Sequence, residues 1–250
     1  MKLARNGTGP EIFESLQGEG VSAGTPSVFV RLSLCNLHCR WCDTPYTWNW
    51  VGTSYAHDSD TPGAPRKYRR EDEIVELDIE KIAAHVLTFR ARNFVLTGGE
   101  PLVQGRELAR LAALLRERDP ACRFEIETNG TLVPPPELDA FVAQYNVSPK
   151  LANSANTPAE REKAESLRFF AACERAWFKF VAASPADLDE IRQIQTRYVI
   201  PAGRILLMPE GTSSEALRDK ARWLAPLCQE HGYRLGDRLH VHLFGNKRGV

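Results

Sequence analysis

From residue 78 onward the spacing of apolar positions switches repeatedly between a helical period and short continuous runs. The pattern predicts a helix over Ile79–Arg90, capped by Asp78, and then a strand over Asn93–Thr97 that ends in Gly98-Gly99. It continues with a helix over Arg106–Arg118, a strand over Arg123–Glu127, a short helix over Leu138–Tyr145 and a short strand over Asn146–Ser148. Thr157-Pro158-Ala159-Glu160 carries the N-cap, proline and acid of a helix start, which runs to about Cys173. A strand over Trp177–Val181, a helix from Ser184-Pro185 to Thr196 and a strand over Arg204–Met208 follow. Thr212-x-x-Glu215 reads as a capping box for a helix over Ser213–His231, and Leu239–Phe244 as a last strand. Ahead of the series stands one strong strand, Ser27–Leu34.

Strands separated by helices and joined by short connections argue a parallel sheet with neighbouring strands adjacent. About six such units are too few to close an eightfold barrel, so the expected fold is α/β, a partial TIM-like βα barrel. A partial barrel is open at the carboxyl ends of its strands. Cys35, Thr97-Gly98-Gly99-Glu100-Pro101, Glu127-Thr128-Asn129-Gly130, Ser148-Pro149-Lys150 and Met208-Pro209-Glu210-Gly211 all fall there, which argues one shared site. The reading is of a single domain over 1–250 with an inserted loop at about 49–77. That loop is rich in turn residues, including Pro62-Gly63-Ala64-Pro65, and its place beside the site predicts a cover.

Thirty-two basic and 32 acidic residues leave no net charge, so the chain lacks the basic footprint of a nucleic-acid binder and a small substrate is expected. No apolar run approaches membrane-spanning length, and Met1-Lys2-Leu3-Ala4-Arg5-Asn6-Gly7 has no apolar core of a signal peptide. The expectation is a soluble, cytoplasmic protein. In that compartment six cysteines are not a disulfide framework. Cys122, Cys173 and Cys228 are scattered and read as small buried hydrophobes.

Cys35, Cys39 and Cys42 differ. Their C-x3-C-x2-C run follows neither helix nor strand period, and three thiolates so close can converge on one centre. Thiolates suit zinc or iron–sulfur clusters, and a closed site of either kind needs four protein ligands. Three leave one position open for a ligand.

Together with Thr97-Gly98-Gly99-Glu100-Pro101, this run resembles the radical SAM superfamily. The resemblance implies a [4Fe–4S] cluster on Cys35, Cys39 and Cys42 whose open iron chelates S-adenosylmethionine, and the partial barrel of that superfamily. Gly98 and Gly99 would let backbone approach the methionine moiety, and Glu100 would accept from its ammonium. A finer resemblance is to the 7-carboxy-7-deazaguanine synthase family of queuosine biosynthesis. It is carried by Phe13-Glu14-Ser15-Leu16-Gln17-Gly18-Glu19-Gly20, Phe29-Val30-Arg31-Leu32, Trp41-Cys42-Asp43-Thr44 and Leu243-Phe244-Gly245-Asn246-Lys247-Arg248-Gly249. It covers nearly the whole chain outside 49–77, and Glu210 departs from a glutamine–proline pattern frequent in the family.

That resemblance implies a lyase acting on 6-carboxy-5,6,7,8-tetrahydropterin. A 5′-deoxyadenosyl radical takes hydrogen from C6, the ring contracts, and 7-carboxy-7-deazaguanine and ammonia result. Leu16, Gln17, Gly18 and Glu19 would hold the pterin, with Thr97 touching it and Arg31 meeting its carboxylate. Trp41, Cys42, Asp43, Gly99, Glu100, Ser148, Pro149 and Lys150 would bind S-adenosylmethionine. Thr44 would be the protein ligand to a Mg²⁺ ion that otherwise takes substrate oxygens and water. The resemblance also implies a homodimer and an external electron donor such as a flavodoxin.

On the residues alone each role has a second reading. Gln17 and Glu19 could decorate a glycine turn, Arg31 could face solvent, Thr44 could be a turn residue before Pro45, and Lys150 could lie on the surface. His240 and His242 share one face of the expected strand and read as structural. A glycyl-radical activase has the same cysteine spacing, but Leu16-Gln17-Gly18-Glu19-Gly20 and Phe244-Gly245-Asn246 favour a small pterin. A non-catalytic zinc or iron–sulfur module is the alternative from another class.

Overall fold

In the computed structural model, which describes residues 1–61, 63–64 and 66–250, the chain starts with β1 (Lys2–Asn6), β2 (Gly9–Pro10), β3 (Ile12–Leu16) and β4 (Pro26–Leu32). After the cysteine run come α1 (Arg70–Glu73), β5 (Ile74–Glu76), α2 (Ile79–Val86), β6 (Asn93–Gly98), α3 (Gly105–Arg118) and β7 (Arg123–Thr128). Then follow α4 (Pro136–Asp139), β8 (Val142–Val147), α5 (Pro158–Arg161), α6 (Ala164–Ala172), β9 (Ala176–Ala182) and α7 (Asp187–Tyr198). The series closes with β10 (Ile205–Pro209), α8 (Ser214–His231), β11 (Arg234–Leu235) and α9 (Leu239–Phe244).

All of these strands join one sheet, in which β4, β6, β7, β8, β9, β10 and β11 run parallel and in spatial order. β1 and β3 pair antiparallel with β4, and β2 and β5 with β1. The sheet does not return on itself, so the barrel is partial, as the count of units predicts.

Alternation along the strands explains why this sheet can hold a polar site. On β7, Phe124 and Ile126 enter the apolar core under the helices, and Glu125 and Glu127 take the intervening positions. On β9, Phe178 and Phe180 do the same around Lys179. The covering helices supply matching apolar faces. Leu108, Leu111, Ala112 and Leu115 of α3 recur at three- and four-residue steps and are buried. Full burial of an aliphatic side chain contributes roughly 2 kcal/mol, so the outer layer stabilises the fold and leaves the inner face free for chemistry.

Three expectations fail for physical reasons. Residues 138–145 are not one helix. α4 stops at Asp139, and Val142–Val147 form β8 because Tyr145 and Val147 can be buried between two parallel neighbours. Leu239–Phe244 is helix rather than strand, since the sheet ends at β11 and the Leu-x-Val-x-Leu alternation has no further edge to join. Ser213, not Thr212, caps α8, its hydroxyl accepting from Ala216 N at 3.2 Å. Of the turn-rich stretch in the loop, Pro62 and Pro65 lie outside the described residues.

Candidate active site

The register of β4 on β6 sets Arg31 beside Thr97 and Leu32 beside Gly98, so the cysteine run and the glycine pair leave the sheet side by side. Gly99 N donates to Leu32 O at 3.1 Å and Glu100 N to Leu34 O at 2.8 Å. This contact explains the glycines. A Cβ on Gly98 would lie 2.0 Å from Leu32 O, and one on Gly99 would lie 2.1 Å from Leu34 O. The close approach they permit is to the backbone that carries the cysteines. Leu34, with φ of 79°, is in the left-handed region immediately before Cys35. Such strain is characteristic of functional turns held by their surroundings.

The cysteine run is clamped from two further sides. Asn156 receives His38 N at 2.9 Å and donates Nδ2 to Cys39 Sγ at 3.2 Å, and Ser154 O receives Arg40 N at 3.1 Å. Residues 49–77 brace the outer side. His57 Nε2 meets Cys42 O at 2.8 Å, the Tyr55 ring stacks on His38 at 3.5 Å, and Asp58 pairs with Arg40 at 2.6 Å. None of the described residues of this loop lines the cavity. The described contacts of this loop are those of a buttress to the cysteine run.

A cavity of about 330 Å³ opens at the carboxyl ends of the parallel strands. Cys35, Cys39 and Cys42 form one part of its wall, and no three His, Cys, Asp or Glu side chains among the described residues could hold a single metal ion. Burial pushes all three thiols up, Cys42 to about 11 and Cys35 further. Lys150 opposes this at Cys39, and a bound cation would favour the thiolate form of all three. A cluster of iron ions, larger than one ion and positively charged, fits both facts.

Leu16, Gln17, Gly18, Glu19, Arg31, Trp41, Asp43, Thr44, Thr97, Gly99, Ser148 and Lys150 line the same cavity. Lys150 Nζ donates to Ser148 Oγ at 2.9 Å and stands 5.6 Å from the Trp41 ring centre. Thr44 Oγ1 lies 3.5 Å from Cys42 Sγ. Two predicted residues are not in the wall. Pro149 is buried behind Ser148. Glu100 is wholly buried, and its carboxylate accepts from Leu102 N at 3.0 Å, Thr128 Oγ1 at 2.9 Å and Asn129 N at 2.7 Å. Burial raises its pKa to about 7 against these hydrogen bonds. It joins the loops after β6 and β7, with three of its acceptor positions taken by these donors.

Sequence reasoning named Glu19, Arg31 and Asp43 but missed the charged partners that hold them. Glu19 is bonded to Lys179 and Arg238, and Arg238 also binds Asp43 and donates to Gly211 O at 2.7 Å. Burial alone would raise the Glu19 pKa, but Lys179 and Arg238 outweigh it and hold the carboxyl far below its usual range. Glu127 accepts from Gln17 Nε2 at 3.1 Å and Thr97 Oγ1 at 2.7 Å. Glu11, 1% exposed, binds Arg31 Nε and Arg248 Nε, each at 2.7 Å. His240, read as structural, lines the cavity 4.0 Å from Glu19, whereas His242 is turned to Asp237 and Ser214. A lone lysine between the phenylalanines of β9 was the one available signal. Glu210 lines the cavity too, paired with Lys220.

Residues 30–160 match the model of the radical SAM superfamily. The chain is 38% identical to the 7-carboxy-7-deazaguanine synthase of Pyrobaculum aerophilum, covering 96% of this chain and 95% of that one. It is 36% identical to the synthase of the same name from Halobacterium salinarum, covering 98% and 95%. The crystal structure of QueE from Escherichia coli superposes with a TM-score of 0.66 at 27% identity, covering 96% of this chain and 95% of that one.

Proposed function

The chain belongs to the radical SAM superfamily and, within it, to the 7-carboxy-7-deazaguanine synthases, and from that membership we infer which of its residues carry the reaction. The reaction is the radical-mediated ring contraction of 6-carboxy-5,6,7,8-tetrahydropterin to 7-carboxy-7-deazaguanine with loss of ammonia, a step of queuosine biosynthesis. The observation that carries the residue assignment is the convergence of Cys35, Cys39, Cys42, Gly99, Gln17 and Arg31 on one cavity at the strand ends.

Cys35, Cys39 and Cys42 hold the [4Fe–4S] cluster. Held there, the cluster would supply the electron that reductive cleavage of S-adenosylmethionine requires. The chain's own work is placement. Asn156 and Leu37 N direct hydrogen bonds at the sulfurs of Cys39 and Cys35, which orients these ligands. Trp41, Asp43, Gly99, Ser148 and Lys150 frame S-adenosylmethionine, and Glu100 fixes the loops behind it. Leu16, Gln17, Gly18 and Glu19 follow the pterin edge. Glu127 keeps the Gln17 amide and the Thr97 hydroxyl in place beside it. Arg31 meets the carboxylate with the planar fork that suits such a group.

Thr44 supplies the protein ligand to Mg²⁺, a reading supported by its place on the cavity wall beside Cys42. A hard ion that keeps most of its waters needs no closed protein cage. The enzyme needs an external reductant, for which a flavodoxin is the proposed donor. It works in the cytoplasm as a homodimer, each chain one domain over 1–250 whose insertion at about 49–77 braces the cluster loop. No helix among the described residues is long and apolar enough to cross a membrane.

Anaerobic turnover of the reconstituted protein with the carboxytetrahydropterin tests this reading. The expected products are 7-carboxy-7-deazaguanine and ammonia, identified by mass. Recovery of unchanged pterin from protein with a full cluster would contradict it.

A further inference from the structure

Arg248 has no role in the assignments above, yet it is one of the most heavily engaged side chains at the cavity. Its Nε donates to Glu11 Oε2 at 2.7 Å and its guanidinium lies 3.5 Å over the Tyr46 ring. It also bonds to Arg5 O and reaches Glu73 at 3.4 Å. Arg31 approaches the same Glu11 from the other side, its Nε on Oε1 at 2.7 Å, with Tyr46 OH donating to Oε1 at 3.2 Å. The two carboxylate oxygens are thus divided between two guanidiniums.

The division matters because of what a guanidinium does to a buried carboxylate when it is alone with it. The preferred arrangement is a fork that takes both oxygens through two parallel N–H bonds. A carboxylate 1% exposed cannot turn to water for its second oxygen, so an unpaired oxygen is costly. With Arg248 on Oε2, Arg31 is confined to a single contact through Nε. Among the described residues its terminal nitrogens have no partner, and Arg31 lines the cavity.

We propose that Arg248 is a positioning residue that holds Glu11 away from the Arg31 fork, so that the two terminal nitrogens of Arg31 remain free for the substrate carboxylate. This rests on the reading of Arg31 as the carboxylate ligand. Without Arg248, the Arg31 fork closes on Glu11 and recognition of the carboxylate is lost while recognition of the pterin ring remains. Removing the Glu11 charge at the same time removes the competitor and restores recognition. A residue that merely fastened the segment from Gly245 to Val250 would show no such rescue.

Equilibrium dialysis of the anaerobic holoenzyme with S-adenosylmethionine, using 6-carboxypterin and unsubstituted pterin as probes, separates these cases. The readout is the ratio of the two dissociation constants. Arg248→Ala is expected to lower the preference for 6-carboxypterin about tenfold, the size of one charge-assisted contact. Glu11→Gln with Arg248→Ala is expected to regain most of it, and Arg31→Ala to lose it in every background. Loss in Arg248→Ala without rescue by Glu11→Gln would overturn the proposal, as would an unchanged ratio in Arg248→Ala. An unchanged ratio in Arg31→Ala would instead overturn the carboxylate reading itself. If Arg248→Ala does not fold, Arg248→Gln, neutral but able to cover Tyr46 and bond Arg5 O, is read on the same scale.

Discussion

The cavity has two kinds of wall, and they are built differently. The cysteine wall comes from one short stretch of chain, its thiols buried and its backbone and side chains braced by neighbouring loops. Leu34 O, Leu32 O and Ser154 O help hold it, and Asn156 addresses the Cys39 sulfur. The other wall is charged and assembled mostly from distant segments. Glu11, Arg31 and Arg248 meet there, as do Glu19, Lys179, Arg238 and Asp43. The difference teaches a division of labour. A local, rigid loop suits ligands that must hold several iron ions in one geometry. A long-range ionic wall suits recognition of a small polar molecule, since its charges are set by the whole fold.

The largest effect should come from the cysteine wall. Cys39→Ala is expected to abolish iron binding and turnover together, whereas Cys122→Ala and Cys228→Ala keep both, because those thiols are buried in the core away from the cavity. Iron analysis and absorbance near the cluster band check this, and full iron in Cys39→Ala would remove the assignment.

On the charged wall, Glu19→Gln strands Lys179, which is 9% exposed, and weakens the hold on Arg238. A loss of about 3 kcal/mol in unfolding free energy is expected, as for other broken buried pairs. The pH dependence has a definite sign. The folded carboxyl titrates well below the unfolded one, so its contribution is present above a pH of roughly 4.3 and fades as pH falls below that. Denaturation curves of the two proteins should converge in acid, and a constant gap across that range would show that Glu19 is not the group responsible.

Gly99→Ala attacks the seam between the two walls. The added Cβ must displace Leu34 O from 2.1 Å, at an expected cost of about 2 kcal/mol and with a lower iron content. Unchanged stability and iron would place the glycine requirement elsewhere. Smallest is Thr44→Ala, expected to raise the Mg²⁺ concentration needed for half activity by about tenfold, the size of one ligand interaction. A superimposable Mg²⁺ titration would return Thr44 to a turn role.

The two walls also differ in how far they can be read from sequence. The cysteine spacing, Thr97-Gly98-Gly99 and the octapeptide through Gly20 are contiguous, so their residues announce themselves. The α/β series was legible for the same reason, because the apolar period of α3 or the run of β6 is a local property. Glu11 and Arg238 have no local pattern, and Lys179 has only its place between two phenylalanines. Their partners lie 160 and 219 positions away for the two that bind Glu19, and only the folded sheet brings them together. Glu100 shows the same limit. Its motif fixed its neighbourhood correctly but not its direction, which is set by Thr128 and Asn129 on the next strand end. Arg248 stands in a tail motif that gives it no task, because its partner is Glu11.

The most direct test of this division measures deoxyadenosine and 7-carboxy-7-deazaguanine in the same anaerobic reaction of Arg31→Ala. The cysteine wall is intact in that variant, so S-adenosylmethionine cleavage should persist while product formation falls by about a hundredfold, the scale of a lost bidentate charge contact. Equal loss of both products from protein with a full cluster, or product formation at the wild-type rate, would contradict the separation of the two walls.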